Sequence, residues 1–389
     1  MEMKKYKLGD ILEEFHSGNN IKAADIKDVG EYPVFGANGL RGYTDRYNCD
    51  GDVAIIGRQG AYCGNVKFFS GKAYYTEHAV IAKPKKGFDA KYLACKLPFY
   101  QLEMYQGQSA QPGLSVGTLS LIEVELPSYE NQKEVALVLS TLDKRIENLR
   151  AQNRVLEQTA KTIYDYTFLQ CAGHQTTYNK TLNRNIPAEW EVKKMEEVLQ
   201  PIERGISYSS EEIKSGKGMP MYNLACFDKQ GNYRSGELKF YSGEYKTSNL
   251  IKLGDMLIAC TDLTRNADII GTPVIVNDEY DLFVYTTDLA KITPKNEEMK
   301  YHIYFWLKNS SYRKYIKPFA SGTNVLHLNV RGVLDYPILV PNSSVLKKFN
   351  AQVEPIFRKQ LVNAKQIETL TTQRNTLLPL LMTGQVMIG

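Results

Sequence analysis

The sequence predicts an α+β protein: two mixed α/β modules in pseudo-twofold repeat, separated by two long antiparallel helices paired as a coiled coil. Three observations predict it. Segments of the two halves match in the same order, each half carries short β-branched runs punctuated by glycine, and each half is followed by a long stretch with heptad stepping.

The repeat comes first. LGDILEEFHSG (8–18) matches MEEVLQPIERG (195–205) at an offset of 187, and Asp25-Ile26-Lys27 and Pro33 match Glu212-Ile213-Lys214 and Pro220 at the same offset. GDVAII (51–56) parallels GDMLIA (254–259), and YTEHAVIAKPK (75–85) parallels YTTDLAKITPK (285–295). LSVGTLSLIEVELPS (114–128) parallels LNVRGVLDYPILVPN (328–342), the offset having drifted to 214 through loop insertions. A period near 200 residues is too long for a solenoid and indicates a duplicated domain. The expected divisions are 1–128, 129–172, 173–342 and 343–389.

Within the modules, 52–57, 64–69 and 79–84 read as strands, as do 255–260, 273–278 and 288–293. Residues 91–105 and 299–315 read as helices, and His78 falls in a strand-like run as a structural histidine. After the first module, 130–168 contain no Gly or Pro. Val135, Leu139, Leu142, Ile146, Leu149, Asn153, Leu156, Ala160 and Ile163 form one heptad seam there. Moved by 214 it becomes Phe349, Val353, Ile356, Gln360, Asn363, Ile367, Leu370, Arg374 and Leu377. The polar positions Asn153, Gln360, Asn363 and Arg374 either fix pairing and register or mark a wetter part of the seam. Pro355 is expected to kink the second helix and Gly384 to end it.

Charge is uninformative about partners. The formal net charge is +5, and residues 1–128 carry 15 Lys+Arg against 15 Asp+Glu, residues 180–342 carry 21 against 20. There is no apolar run of membrane-spanning length and no signal-peptide pattern at the start. Six cysteines without a CxxC pair indicate reduced thiols in the cytoplasm, with neither a disulfide framework nor a metal site.

Module, helix, module, helix with matching halves resembles the specificity subunit of Type I restriction-modification systems along essentially the whole chain. ELPSYENQKEVALVLSTLDKRIE (125–147) resembles that family's central region, as does its echo LVPNSSVLKKFNAQVEPIF (339–357), and RNTLLPLLMTGQV (374–386) resembles the distal end of its second helix. GRQGAYCGNV (57–66) and QSAQPGLSV (108–116) resemble two loops of its target-recognition domain. The second copy departs from these with TDLTRNADIIG (261–271) and SGTNVLHLNV (321–330). The resemblance implies that 1–128 and 173–342 are target-recognition domains, each reading half of a split, asymmetric double-stranded DNA site. It implies that the helices set the spacer and dock two modification (methyltransferase) subunits, through which restriction subunits join. S-adenosylmethionine, and ATP with magnesium, would be used by those partners, and this chain would bind no cofactor or metal.

Candidate DNA contacts in the first module are Arg58, Gln59, Gly60 and Tyr62, then Gln108, Ser109 and Gln111. Glycine admits close backbone approach, while Arg suits guanine and Gln suits adenine; Tyr62 either stacks or packs. Candidates in the second are Arg265, Asn266, Thr323, Asn324 and His327, with Lys217, Lys229 and Arg234 as phosphate contacts or solvated loop charges. Helix pairing is assigned to Leu139, Leu142, Ile146, Leu149 and Leu156 facing Val353, Ile356, Ile367, Leu370 and Leu377.

The phosphate-loop, HExxH, GxSxG and amino-methyltransferase motifs are all missing, which predicts a non-catalytic subunit. One competing pattern, Asp228 followed by Glu237 and Lys239, has the acid…acid-x-Lys form of metal-dependent nucleases. A composite system, with nuclease and methylase fused in one partner, is a further alternative.

Overall fold

The computed structural model describes residues 2–107, 113–171, 173–214, 217–227, 233–234, 237–264, 266–277 and 280–386. The chain divides into two compact units, Met1–Arg145 with Leu370–Gly389, and Ile146–Thr369. Each unit holds one module and a portion of both long helices.

In the first unit a four-stranded antiparallel sheet runs in the order Leu12–Ser17, Ala79–Pro84, Asp52–Gly57, Val66–Ser70. A second sheet joins Gly39–Thr44, Tyr32–Gly36 and the short Tyr74–Tyr75, the last pairing parallel. Lys4–Lys7 closes against Glu123–Leu126. The central strands are buried on both faces. Ala54, Ile56, Val80 and Ala82 enter one core, while Val53, Ile55, Ala79 and Ile81 enter another. Double burial is why these strands read as continuous apolar runs and not as an alternation.

The second unit repeats this plan. Glu203–Arg204, Leu289–Ile292, Met256–Ala259 and Pro273–Ile275 form the matching four-stranded sheet in the matching order. The parallel pair recurs with register intact, Val34 opposite Tyr74 and Met221 opposite Val284. The closing pair recurs residue for residue: Lys4 faces Leu126, and Glu191 faces Val340, offsets of 187 and 214.

One sequence match is out of register. GDVAII and GDMLIA align at an offset of 203, yet Ile56 faces Val80 while Ile258 faces Ala290, so the strands themselves correspond at 202. The first copy holds one more residue between the Gly-Asp turn and its strand. A slip of one exchanges the two faces of a strand, so the pairing in space is the one to follow.

Gly18 and Gly205 mark the same point of both copies. A Cβ on Gly18 would lie 2.1 Å from the Tyr75 carbonyl oxygen, and one on Gly205 2.0 Å from that of Tyr285. Only glycine admits this approach of the edge strand to the parallel-strand turn.

Two helices predicted as continuous are broken. Residues 91–105 form the helix Ala90–Lys96 and then two 3-10 turns, because Pro98 and the left-handed Gln101 (φ 47°) end α-helical bonding. Residues 299–315 form Lys300–Lys308 and Ser310–Ile316, with Asn309 extended between them and capping the Ser311 N–H. His78 lies in the turn before the strand Ala79–Pro84, not within a strand.

The first long helix runs Tyr129–Tyr164 and widens into a π-turn at Asp165–Leu169. The second runs Ser343–Met382, continuing through Pro355, which is exposed. It ends in a Schellman motif at Gly384 (φ 74°): the Gln385 N–H bonds the Leu380 carbonyl and the Gly384 N–H that of Leu381.

Within the second unit, Phe168 packs on Phe349, Glu157 meets Gln360 and Asn153 meets Asn363, the order of antiparallel pairing. Within the first, Leu139 shares a core with Leu377 and Leu378, and Asp143 bonds Arg374. Leu139, Ile146, Leu149, Val353 and Ile367 are buried, and Leu142, Leu156, Ile356, Leu370 and Leu377 half-buried. No described helix is long and apolar enough to cross a membrane.

Candidate nucleic-acid interface

In the first module the strand Asp52–Gly57 delivers Arg58 and Gln59 to a corner bounded by Gly57 and Gly60. The Arg58 N–H donates to the His78 carbonyl (3.0 Å), and its own carbonyl accepts from the Leu114 N–H (2.9 Å). Its guanidinium donates from Nε to the Leu114 carbonyl at 3.1 Å and from Nη1 to Ser17 Oγ at 2.9 Å. Two of the five guanidinium N–H groups thus fix the plane, and the rest can reach a ligand.

Gln59 lies 2.8 Å from His78 Nδ1 through its Oε1, and its backbone bridges Gly113. Gly60 is left-handed (φ +72°) and open, with nothing within 4 Å of where a Cβ would stand. Tyr62 is 49% exposed. Gln108, Ser109 and Gln111 lie outside the described residues. Gly107 and Gly113, which bracket them, are joined by an N–H to carbonyl bond of 3.2 Å beside Arg58 and Gln59. Two segments some fifty residues apart, both singled out from sequence, therefore meet at one corner.

The second module builds the same corner from other residues. Cys260 stands where Arg58 does: its N–H donates to the Asp288 carbonyl (2.7 Å), and its carbonyl accepts from the Leu328 N–H (2.8 Å). Burial pushes the Cys260 thiol up to about 12, with the Arg204 guanidinium acting against it. Thr261–Asp262 then pairs with Leu326–Leu328, placing His327 opposite Thr261 with their side chains 3.5 Å apart.

The buried Asp262 shapes the adjoining loop, its two oxygens accepting the Thr264 and Ile269 N–H groups at 2.7 Å each. Asn266 is exposed on that loop, its carbonyl held by Lys317 at 2.8 Å. Arg265 is outside the described residues. Thr323, Asn324 and His327 are exposed in and beside the loop following Ala320–Ser321.

The remaining candidates are elsewhere. Lys217 is exposed beside Gly218, Lys229 is outside the described residues, and Arg234 is paired with Glu237 at 2.6 Å. The nuclease pattern is not assembled among the described residues. Glu237 is engaged by Arg234 and Lys239 by the Tyr208 hydroxyl at 2.9 Å, while Asp228 lies outside them.

Sequence reasoning missed Ser17, Leu114, Arg204 and Cys260 at these corners. The available signal was the offset of 187, which sets Ser17 against Arg204.

The model of the family described as "Type I restriction modification DNA specificity domain" matches residues 1–158 and 187–373. The specificity subunit of the Type I restriction enzyme EcoprrI from Escherichia coli is 37% identical over 165 residues, 41% of either chain. That of MjaIX from Methanocaldococcus jannaschii is 26% identical over 428 aligned positions, spanning 100% of this chain and 94% of the relative. The crystal structure of the Type I restriction-modification S subunit from M. genitalium superposes with a TM-score of 0.63 at 16% identity, covering 98% of this chain and 96% of that one.

Proposed function

The chain belongs to the Type I restriction-modification DNA specificity family, and on that footing we propose that its two modules each read one half of a bipartite, asymmetric DNA site. As a specificity subunit it is itself non-catalytic. The observation that carries the reading is the pair of corresponding corners, framed by the same backbone bonds and filled with different side chains. Equivalent placement gives both modules one mode of approach, and unlike side chains give the halves different sequences.

The long helices set the distance between half-sites in this reading. The first, of 36 residues, is roughly 54 Å long at 1.5 Å per residue, enough to span half-sites about one helical turn, roughly 34–36 Å, apart. Exposed Leu137, Val155 and Val362 on the outer faces of the helices suit docking of two modification subunits, and restriction subunits join through these. S-adenosylmethionine, and ATP with magnesium for restriction, are used by those partners, and the complex works on DNA in the cytoplasm.

Genome-wide mapping of methylated adenines with and without the gene tests the reading. A split motif that disappears on deletion is expected; a methylome left unchanged by deletion overturns it. Arg58→Ala should relax recognition of one half alone.

A further inference from the structure

The two corners are equivalent in backbone, yet only the first has an arginine at the strand end. Register locates the second module's cation. Ser17 and Ile56 both face Val80 from opposite sides, so Ser17, Ile56 and Arg58 project to one face of the sheet. Arg204 and Ile258 both face Ala290 in the same way, so Arg204, Ile258 and Cys260 share the corresponding face. Arg58 corresponds to Cys260, and Ser17 to Arg204.

The pair is thus inverted between the copies. In the first, the guanidinium starts from the central strand and reaches Ser17 Oγ on the edge strand at 2.9 Å. In the second it starts from the edge strand, beside Cys260. There Arg204 Nη1 donates to the Thr287 carbonyl at 3.0 Å, in the turn corresponding to Glu77 and His78. Arg204 is exposed, and neither arginine forms an ion pair among the described residues. Each guanidinium is anchored by neutral acceptors and keeps N–H groups to offer, the condition for bidentate recognition of a guanine edge.

We propose that Arg204 is a base-reading residue of the second module, supplying from the edge strand the guanidinium that Arg58 supplies from the central strand of the first. This rests on the DNA-reading function proposed above. It explains how one backbone frame serves two different half-sites: the same group enters from opposite sides of the corner.

The test uses the full chain co-expressed with its modification partners, and duplex probes carrying the methylation motif mapped for the wild type. Arg204→Ala should weaken binding to the cognate duplex about 10- to 100-fold and abolish discrimination among bases in one half only. Arg58→Ala should do the same for the other half. Arg204→Lys should not restore discrimination, since an ammonium cannot form the planar fork.

The melting temperatures of Arg204→Ala and Arg204→Lys separate lost reading from lost folding: unchanged melting with discrimination gone assigns the loss to reading. Unchanged binding and discrimination by Arg204→Ala would overturn the proposal. So would an equal loss on cognate and unrelated duplexes, the mark of a phosphate contact. A wild-type chain that confers no split motif overturns the functional reading itself, before Arg204 is at issue.

Discussion

Asn363 is completely buried in the seam between the long helices, within the second unit. Its Nδ2 donates to Asn153 Oδ1 at 2.8 Å and lies 3.4 Å from Gln152 Oε1, while its own Oδ1 has no partner among the described residues. Gln360 extends the layer by donating to the Asn153 carbonyl at 3.2 Å. Such a layer in an apolar seam holds register at the expense of stability. Asn363→Leu alone strands Asn153 Oδ1, a loss of about 1–3 kcal/mol, but removes the orphaned oxygen and adds apolar burial worth about 1.5–3 kcal/mol. The two nearly cancel. Asn153→Leu with Asn363→Leu removes both polar groups and should stabilise the second unit by about 1–3 kcal/mol, partial exposure of Asn153 limiting the gain. For a unit of this size that raises the melting temperature by roughly 2–4 °C per kcal/mol. Thermal unfolding of the full chain, followed by circular dichroism, reads it directly. Methylation mapping should then show more than one spacer length, as the helices gain alternative registers. A double variant that melts below the wild type would refute the argument, because the layer would then be a net source of stability.

Gly18→Ala and Gly205→Ala should each destabilise their own unit by about 2 kcal/mol or more, because either Cβ meets a backbone carbonyl at 2.1 or 2.0 Å; chemical denaturation of each variant checks this. His302 donates to the Leu339 carbonyl, and burial lowers its pKa to about 4. Stability contributed by the neutral ring is therefore complete above the unfolded value of about 6.5 and is lost as pH falls through the interval down to about 4, an effect on the order of 3 kcal/mol. An NMR titration of the His302 ring with a midpoint near 6.5 would contradict that. Burial pushes the Asp143 carboxyl up, but hydrogen bonds from Lys91 (2.6 Å) and Arg374 (2.7 Å) outweigh it and hold the group below its ordinary 3.8. The first unit should accordingly lose stability as pH falls below that value, and Asp143→Asn should blunt the acid dependence in a urea series.

The features that repeat were legible in the sequence because packing enforces them on both copies. The closing strands keep offsets of 187 and 214 residue for residue, since a slip there would turn Tyr6 and Val124 out of the core. The heptad seam was legible for the same reason, and its polar members proved to be in contact: Asn153 with Asn363, Arg374 with Asp143. The broken helices were harder to read. Asn309 has no glycine or proline beside it, and only its side-chain bond to the Ser311 N–H marks the break.

The corner in the second module was concealed by a single residue. GDVAII and GDMLIA match so well around Gly-Asp that they place Arg58 against Thr261, whereas strand pairing places it against Cys260. A turn motif is held by backbone conformation, as the left-handed Gly51 (φ +119°) and Gly254 (φ +85°) show, and a strand by which face it buries. These constraints act separately, so a residue can be gained between them without disturbing either. The duplicated backbone is therefore held by its cores, while the edge position, Ser17 or Arg204, lies outside them and is free to differ; the strand end is half-buried Arg58 in one copy and core-buried Cys260 in the other. Arg58 with Ser17 in one copy and Cys260 with Arg204 in the other is the outcome such freedom permits. A symmetric frame with an inverted pair fits the proposed reading of two unlike half-sites.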